Sequence, residues 1–212
     1  MSVQGTDETG HFSASYGIDD PEETKAHYAS WAATYDKEVA EQNGYVQPQR
    51  CAQALSANAL DPSARILDAG CGSGLSGVAM RLAGYSNLDG CDFSPDMLKL
   101  AKEKQVYANL FEADLNAPQK DIADGTYDAV TAVGVFSFGH IMPDACDELL
   151  RIIKPRGLFV IALNEKFWDK GTLEEKLKRL EREGRIEMLS MEYGDHLPGH
   201  NVNGWVIVMR RI

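Results

Sequence analysis

The stretch Ile66-Leu67-Asp68-Ala69-Gly70-Cys71-Gly72-Ser73-Gly74-Leu75-Ser76-Gly77 decides how the rest of the chain is read. An apolar run ends in an acid, a glycine-rich turn follows, and a helical pattern begins. Glycines let a backbone approach a ligand where a Cβ would obstruct it, and the helix that follows offers unpaired N–H groups. The segment is therefore a nucleotide-type cradle between a strand and a helix. Two ligand classes fit its spacing. Gly72-Ser73-Gly74-Leu75-Ser76-Gly77 satisfies the G-x-G-x-x-G pattern of dinucleotide enzymes, and Asp92 lies about twenty residues downstream, as that pattern asks. Asp68 argues the other way: a carboxylate just before the glycines adds negative charge where a pyrophosphate would sit, and suits a cationic ligand carrying an amino group.

Downstream, short apolar runs alternate with helical patterns. Strands are expected over 65–69, 87–92, 106–112, 127–133 and 157–163, and helices over 75–84, 94–105 and 143–153. Ser94 reads as a helix cap followed by Pro95 at the first helical position. Strands that are apolar without alternation, separated by helices, imply a parallel sheet covered on both faces. After them come a charged helix over 172–184 and two strands over 185–193 and 204–210, joined by a loop with Pro198 and Gly199. Upstream, Pro21 follows the capping-competent Asp20 and opens a helix in which Tyr28, Trp31 and Tyr35 share one face. A further helix is expected over 48–60. Residues 1–20 are polar and without period, and are expected to be a flexible arm. The domain reading is thus an arm (1–20) and a single domain (21–212), made of an N-terminal helical cap (21–60) and an α/β core (64–212).

Composition narrows the function classes. The 212 residues carry 32 acidic and 21 basic side chains, a formal charge of −11. That balance disfavours nucleic acid or an anionic membrane as partner, because phosphate binding is driven largely by Lys and Arg. No apolar run approaches the roughly 20 residues that span a bilayer, and the first twenty residues have neither a basic start nor an apolar stretch, so a cytoplasmic location is the expectation. Cys51, Cys71, Cys91 and Cys146 are far apart, without a C-x-x-C pair, and read as small buried apolar residues rather than metal ligands.

Taken together with Asp68, the glycine segment resembles the first motif of the class I S-adenosylmethionine-dependent methyltransferases, matched by Asp68, Gly70, Gly72 and Gly74. The resemblance extends from about Tyr28 to Ile212. It implies a Rossmann-like, doubly wound sheet of seven mainly parallel strands with an antiparallel last strand, and S-adenosylmethionine as cofactor. It also implies site roles. Asp92, at the end of the second strand, stands where the family's acid accepts hydrogen bonds from the ribose hydroxyls. Asp114 stands where an acid bonds the adenine amino group, with Leu115 packing on the ring. Cys71, Phe93 and Val133 flank these positions. Lys154-Pro155-Arg156-Gly157 resembles the Lys-Pro-x-Gly turn before the fifth strand, with Arg156 where many members carry glycine. More narrowly, Tyr28-Ala29-Ser30-Trp31-Ala32-Ala33-Thr34-Tyr35-Asp36 resembles the methyltransferase-like group typified by the Williams–Beuren syndrome region 27 protein, which makes Tyr28, Trp31 and Tyr35 candidates for closing over the cofactor.

The expected reaction is methyl transfer to a nucleophile on a small molecule. His140, in the loop after the fourth strand, is the candidate general base, because ligands of doubly wound sheets bind beyond the carboxyl ends of strands. Asn164 and Glu165 are similarly placed. Val133-Gly134-Val135-Phe136 carries no Asn-Pro-Pro-Tyr-type tetrapeptide, which argues against an amide or base-amino methylase of that group. Phe136, Phe138, Phe167 and Trp168 point to an apolar acceptor. The alternatives are an NAD-type oxidoreductase and a non-catalytic protein that keeps the cofactor cleft; a monomer or a homodimer would serve either chemistry.

Overall fold

The apolar run before the glycines is the central strand of a sheet, and what flanks it follows from alternation along that strand. The computed structural model describes residues 43–137 and 141–212 together with Glu23, Thr34 and Asp36. The expected arm, the Tyr28, Trp31 and Tyr35 stripe, Phe138 and His140 lie outside these residues.

In chain order the described elements are α1 (Gln47–Ala57), β1 (Arg65–Ala69), α2 (Leu75–Leu82), β2 (Asn87–Asp92), α3 (Pro95–Glu103), β3 (Asn109–Glu112), β4 (Tyr127–Val133), α4 (Ala145–Ile152), β5 (Ile153–Asn164), α5 (Glu165–Trp168), α6 (Thr172–Arg182), β6 (Ile186–Leu197) and β7 (Val202–Arg211). The seven strands among the described residues form one sheet in the order β3-β2-β1-β4-β5-β7-β6. Strands β1 to β5 pair in parallel, and β7 runs antiparallel to both β5 and β6. This is the expected doubly wound, mainly parallel sheet with its antiparallel last strand.

Successive residues of the central strands feed opposite layers. Ile66, Ala129, Val160, Ala162, Val206 and Val208 pack with Cys51 and Leu55 of α1 and Met80 of α2. Leu67, Val130, Ile161, Leu163 and Ile207 pack with Leu149 and Ile152 of α4 and with Leu173, Leu177 and Leu180 beyond it. All four cysteines are free and buried, and burial pushes their thiols up. The charged face of α6 is joined to α4 through Lys176, buried to 5% exposure between Asp144, at 2.9 Å, and Asp147.

Four strands differ from expectation. Pairing of the third strand starts late, at Asn109 rather than 106, because Gln105 takes a positive φ of 55° after α3 and Tyr107 turns inward against Gly77 and Gly90. The fifth strand begins at Ile153, with a register shift that displaces the Lys154–Gly157 stretch; Arg156 carries φ 66° at this bulge, so the departure from glycine falls on the turn. Finally, β6 and β7 are longer than expected, and their connection shrinks to a 3-10 turn at Pro198–His200.

Candidate active site

Where β1 ends, three glycines in the left-handed region carry the chain across the sheet's carboxyl edge: Gly70 (φ 71°), Gly72 (φ 52°) and Gly74 (φ 94°). Each is a glycine for a different reason. A Cβ on Gly70 would lie 2.7 Å from the Val135 methyls, in the segment after β4, so this glycine lets the two loops meet. A Cβ on Gly74 would lie 3.2 Å from the Ala101 backbone of α3. Gly72 faces open space, with no atom within 4 Å of such a Cβ.

Asp92 and Gly72 are brought together by the register of β1 on β2. The Cys71 N–H donates to the Cys91 carbonyl at 2.8 Å, and the Gly72 N–H donates to Asp92 Oδ2 at 2.9 Å. Asp92 Oδ1 accepts from the Ser94 N–H at 2.9 Å, while the Ser94 hydroxyl caps α3 by accepting from Met97 N–H at 3.4 Å. Burial pushes the Asp92 carboxyl above the usual carboxylate range, against the pull of the N–H groups of Ser94, Gly72 and Phe93. Phe93 beside it is half-buried, as is Val133 at the end of β4.

Asp68 is placed beneath the turn rather than in its wall. It has no exposed surface, and in place of a ligand it accepts from three hydroxyls: Ser76 at 2.5 Å, Tyr107 at 2.6 Å and Thr131 at 3.1 Å. The expectation that it meets a ligand amino group directly is corrected accordingly. Its carboxylate fastens β1, β4 and α2, and burial raises its pKa too. Tyr107, which the sequence reading missed, also accepts the Gly77 N–H at 3.1 Å. Cys71 is likewise buried, at 4% exposure, and contributes its backbone.

Beyond β3, Asp114 is exposed and accepts the Asn116 N–H at 2.9 Å; Asn116 in turn accepts the Met142 N–H at 2.8 Å, which ties this loop to the segment after β4. Leu115 is 5% exposed and belongs to the larger apolar cluster, so it packs inward. Phe136 and Phe167 also lie in that cluster, and Trp168 is half-buried against Trp205. Asn164 caps α5 by accepting the Phe167 N–H at 2.9 Å, and Glu165 accepts from the Tyr193 hydroxyl. Asp36, in the segment before α1, accepts from the Ser73 hydroxyl of the turn and from Lys104 after α3.

This cradle fits S-adenosylmethionine better than a dinucleotide. Acids at 36, 68 and 92 surround the turn, and Lys104, whose stem lies against Gly74, is paired with Asp36. A cation is stabilised there; a pyrophosphate would meet negative charge.

The comparison with known proteins agrees. Residues 67–161 match the methyltransferase domain family. Methyltransferase-like protein 27 of Homo sapiens is 35% identical over 181 residues, which cover 83% of this chain and 73% of that one. The chain belongs to the class I S-adenosylmethionine-dependent methyltransferases. A second relative, the 2-methyl-6-phytyl-1,4-hydroquinone methyltransferase of Synechocystis, is 33% identical over 133 residues, covering 56% of the methyltransferase described here and 40% of its own length. In fold, the methyltransferase is similar to the magnesium protoporphyrin IX methyltransferase of Synechocystis solved with bound S-adenosylmethionine, with a TM-score of 0.67, 16% identity, and coverage of 92% and 98% of the two chains. It is an S-adenosylmethionine-dependent enzyme.

Proposed function

We propose that the enzyme methylates a nucleophilic atom on a small molecule. In this reading the Gly70–Gly74 turn takes the amino-acid end of S-adenosylmethionine, Asp92 accepts from the ribose hydroxyls, and Asp114 accepts from the adenine amino group. The observation that carries the cofactor placement is the pairing of Asp92 with the Gly72 N–H beside an open face of that glycine. A small-molecule acceptor is supported by the name of the hydroquinone-methylating relative, and the net charge of −11 speaks against a nucleic-acid one.

When bound, the cofactor supplies a methyl group already activated on a cationic sulfur, so little acid–base chemistry is asked of the protein. The chain's own work is placement. Rigid strand ends hold the acceptor in line with the methyl carbon, and holding two reactants in register is worth up to about 7–11 kcal/mol of barrier. The carboxylates of Asp68 and Asp92 add negative potential on the cofactor side.

The test is calorimetric titration with S-adenosylmethionine, S-adenosylhomocysteine and NAD, with Asp92→Ala alongside, followed by an acceptor screen. Binding of both sulfur compounds that is lost in the variant, with methyl transfer to a small-molecule acceptor, is the expected result. Preference for NAD would overturn it.

A further inference from the structure

A second polar cluster, outside the cofactor cradle, joins the start of α1 to the end of β6. Gln47 has no exposed surface; its Nε2 lies 3.0 Å from His196 Nδ1 and 3.5 Å from the Leu163 carbonyl. Its Oε1 is buried without a hydrogen-bond partner. A buried acceptor left open is available to a donor from outside the chain. An amide that donates to Nδ1 leaves the imidazole proton on Nε2, and Nε2 makes no hydrogen bond to a described residue.

The fold builds this arrangement deliberately. A register shift between Asp195 and Leu197 leaves His196 without a partner on β7, and such a bulge re-aims a side chain. Opposite it stands Gly204, where a Cβ would come within 2.3 Å of the Leu163 carbonyl, 2.7 Å of Gln47 Nε2 and 3.1 Å of His196 Nδ1. The segment before α1 is strapped to the same hairpin by Val46 N–H to the His196 carbonyl, 3.2 Å, and Gly199 N–H to the Asn43 carbonyl, 3.1 Å. Tyr45, held within that strap, packs edge-on against His196 at 5.1 Å, with its hydroxyl against Gly134 at the end of β4. The two rings thus reach along the carboxyl edge from β6 to the loop that meets the glycine turn.

We propose that Tyr45, Gln47 and His196 hold the methyl acceptor, and that this acceptor is an uncharged molecule carrying an O–H or N–H group. The Gln47 carbonyl accepts from that group, His196 Nε2–H donates to an oxygen, and Tyr45 flanks the ring or chain that bears them. The charged groups around His196 are already engaged. Arg50 donates to the carbonyls of Asp195 (2.8 Å), Glu192 (2.9 Å) and Gly204 (3.3 Å), and Glu165 accepts from Tyr193 and from the Asn203 N–H. A desolvated, uncharged donor–acceptor set penalises an ionised ligand. The inference rests on the methyltransferase reading of the neighbouring cradle.

The test uses the full chain with 15N-labelled histidine, saturated with S-adenosylhomocysteine, and three monosubstituted benzenes of different charge as probes: phenol, benzoate and benzylamine. His196 is assigned by its loss in His196→Gln. The expected result is a proton on Nε2 and a saturable shift of that resonance by phenol, at roughly tenfold or more lower concentration than by either charged ring. Gln47→Met, and separately Tyr45→Ala, should weaken phenol about fivefold or more while S-adenosylhomocysteine affinity stays within about twofold. No saturable phenol shift, equal binding of a charged ring, or indifference to both substitutions would overturn the acceptor assignment alone. Failure of the wild type to bind S-adenosylhomocysteine would overturn the cofactor reading beneath it, at the first titration.

Discussion

Asp68, buried, and Asp92, half-buried, are carboxylates at the ends of adjacent strands, and their partners separate their roles. Asp92 accepts backbone N–H groups on the rim of the cleft, whereas Asp68 accepts hydroxyls below it. Asp92→Asn places amide hydrogens against N–H donors, so it should weaken S-adenosylhomocysteine binding by about tenfold or more and lower stability by roughly 1–2 kcal/mol. Asp68→Asn should cost about 1–3 kcal/mol of stability, read by urea unfolding, with cofactor affinity changed less than about threefold. The sequence could single out both acids by spacing, but not tell them apart, because the distinction lies in Tyr107 and Thr131, distant in sequence and silent as motifs. A third group sets a pH dependence. Burial, and the nearby Arg50 charge against the weaker pull of Glu165, push His196 down to about 4. Between pH 6.5 and 4 the unfolded chain takes up a proton that the folded chain refuses, so this group removes stability as pH falls, by as much as about 3 kcal/mol below pH 4. Asp68 and Asp92, whose pKa values are raised, act with the opposite sign: the folded chain holds their protons longer, and their contribution falls as pH rises from about 3.9. His196→Gln should therefore flatten the acid-side loss of unfolding free energy between pH 6.5 and 4 and leave the opposing carboxylate slope intact.

The strand–turn–helix unit of β1 and α2 separates two uses of glycine that its sequence writes identically. Gly72→Ala adds a methyl group into open space at φ 52°, which costs about 1–2 kcal/mol of backbone strain, and sets that methyl group where a ligand must approach. Gly77→Ala drives a Cβ to 2.4 Å from the Tyr107 ring, an overpacking worth about 1–3 kcal/mol. Unfolding and calorimetry together should show Gly72→Ala losing affinity out of proportion to stability, and Gly77→Ala the reverse. Elements with local signals were legible: β1, β2 and β4 fall on their expected residues, and Ser94 with Pro95 marks the start of α3. The elements misjudged are those fixed from a distance. Gly194, Asp195 and His196 read as loop formers, yet they continue β6 because β7 pairs with this stretch and Arg50 of α1 clamps its carbonyls. That error hid His196 from the list of site residues.

Across the whole molecule, the sheet order places the cofactor cradle over β1, β2 and β4 and the Tyr45–Gln47–His196 cluster over β5, β7 and β6, both on one edge. No described helix is long and apolar enough to cross a membrane. The proposed cofactor half of the site, written in the glycines and acids of β1 to β3, could be suggested from the sequence because a cofactor shared across a family leaves a shared pattern. The proposed acceptor half could not, because Gln47 and His196 lie about 150 residues apart and are brought together by pairing alone. Ligand binding to the folded state alone stabilises it by mass action. At a ligand concentration of 100 times Kd the gain is about 2.7 kcal/mol, which for a chain of this size raises Tm by roughly 5–10 °C. S-adenosylhomocysteine should produce that shift in the wild type and in Tyr45→Phe, whose substitution lies on the acceptor side, and should fail to do so in Asp92→Ala. NAD at the same concentration should leave Tm unchanged, because its pyrophosphate would lie against Asp92 and above the buried Asp68. A shift with NAD equal to that with S-adenosylhomocysteine would contradict the charge argument at its root, since both ligands would then share the cradle irrespective of sign.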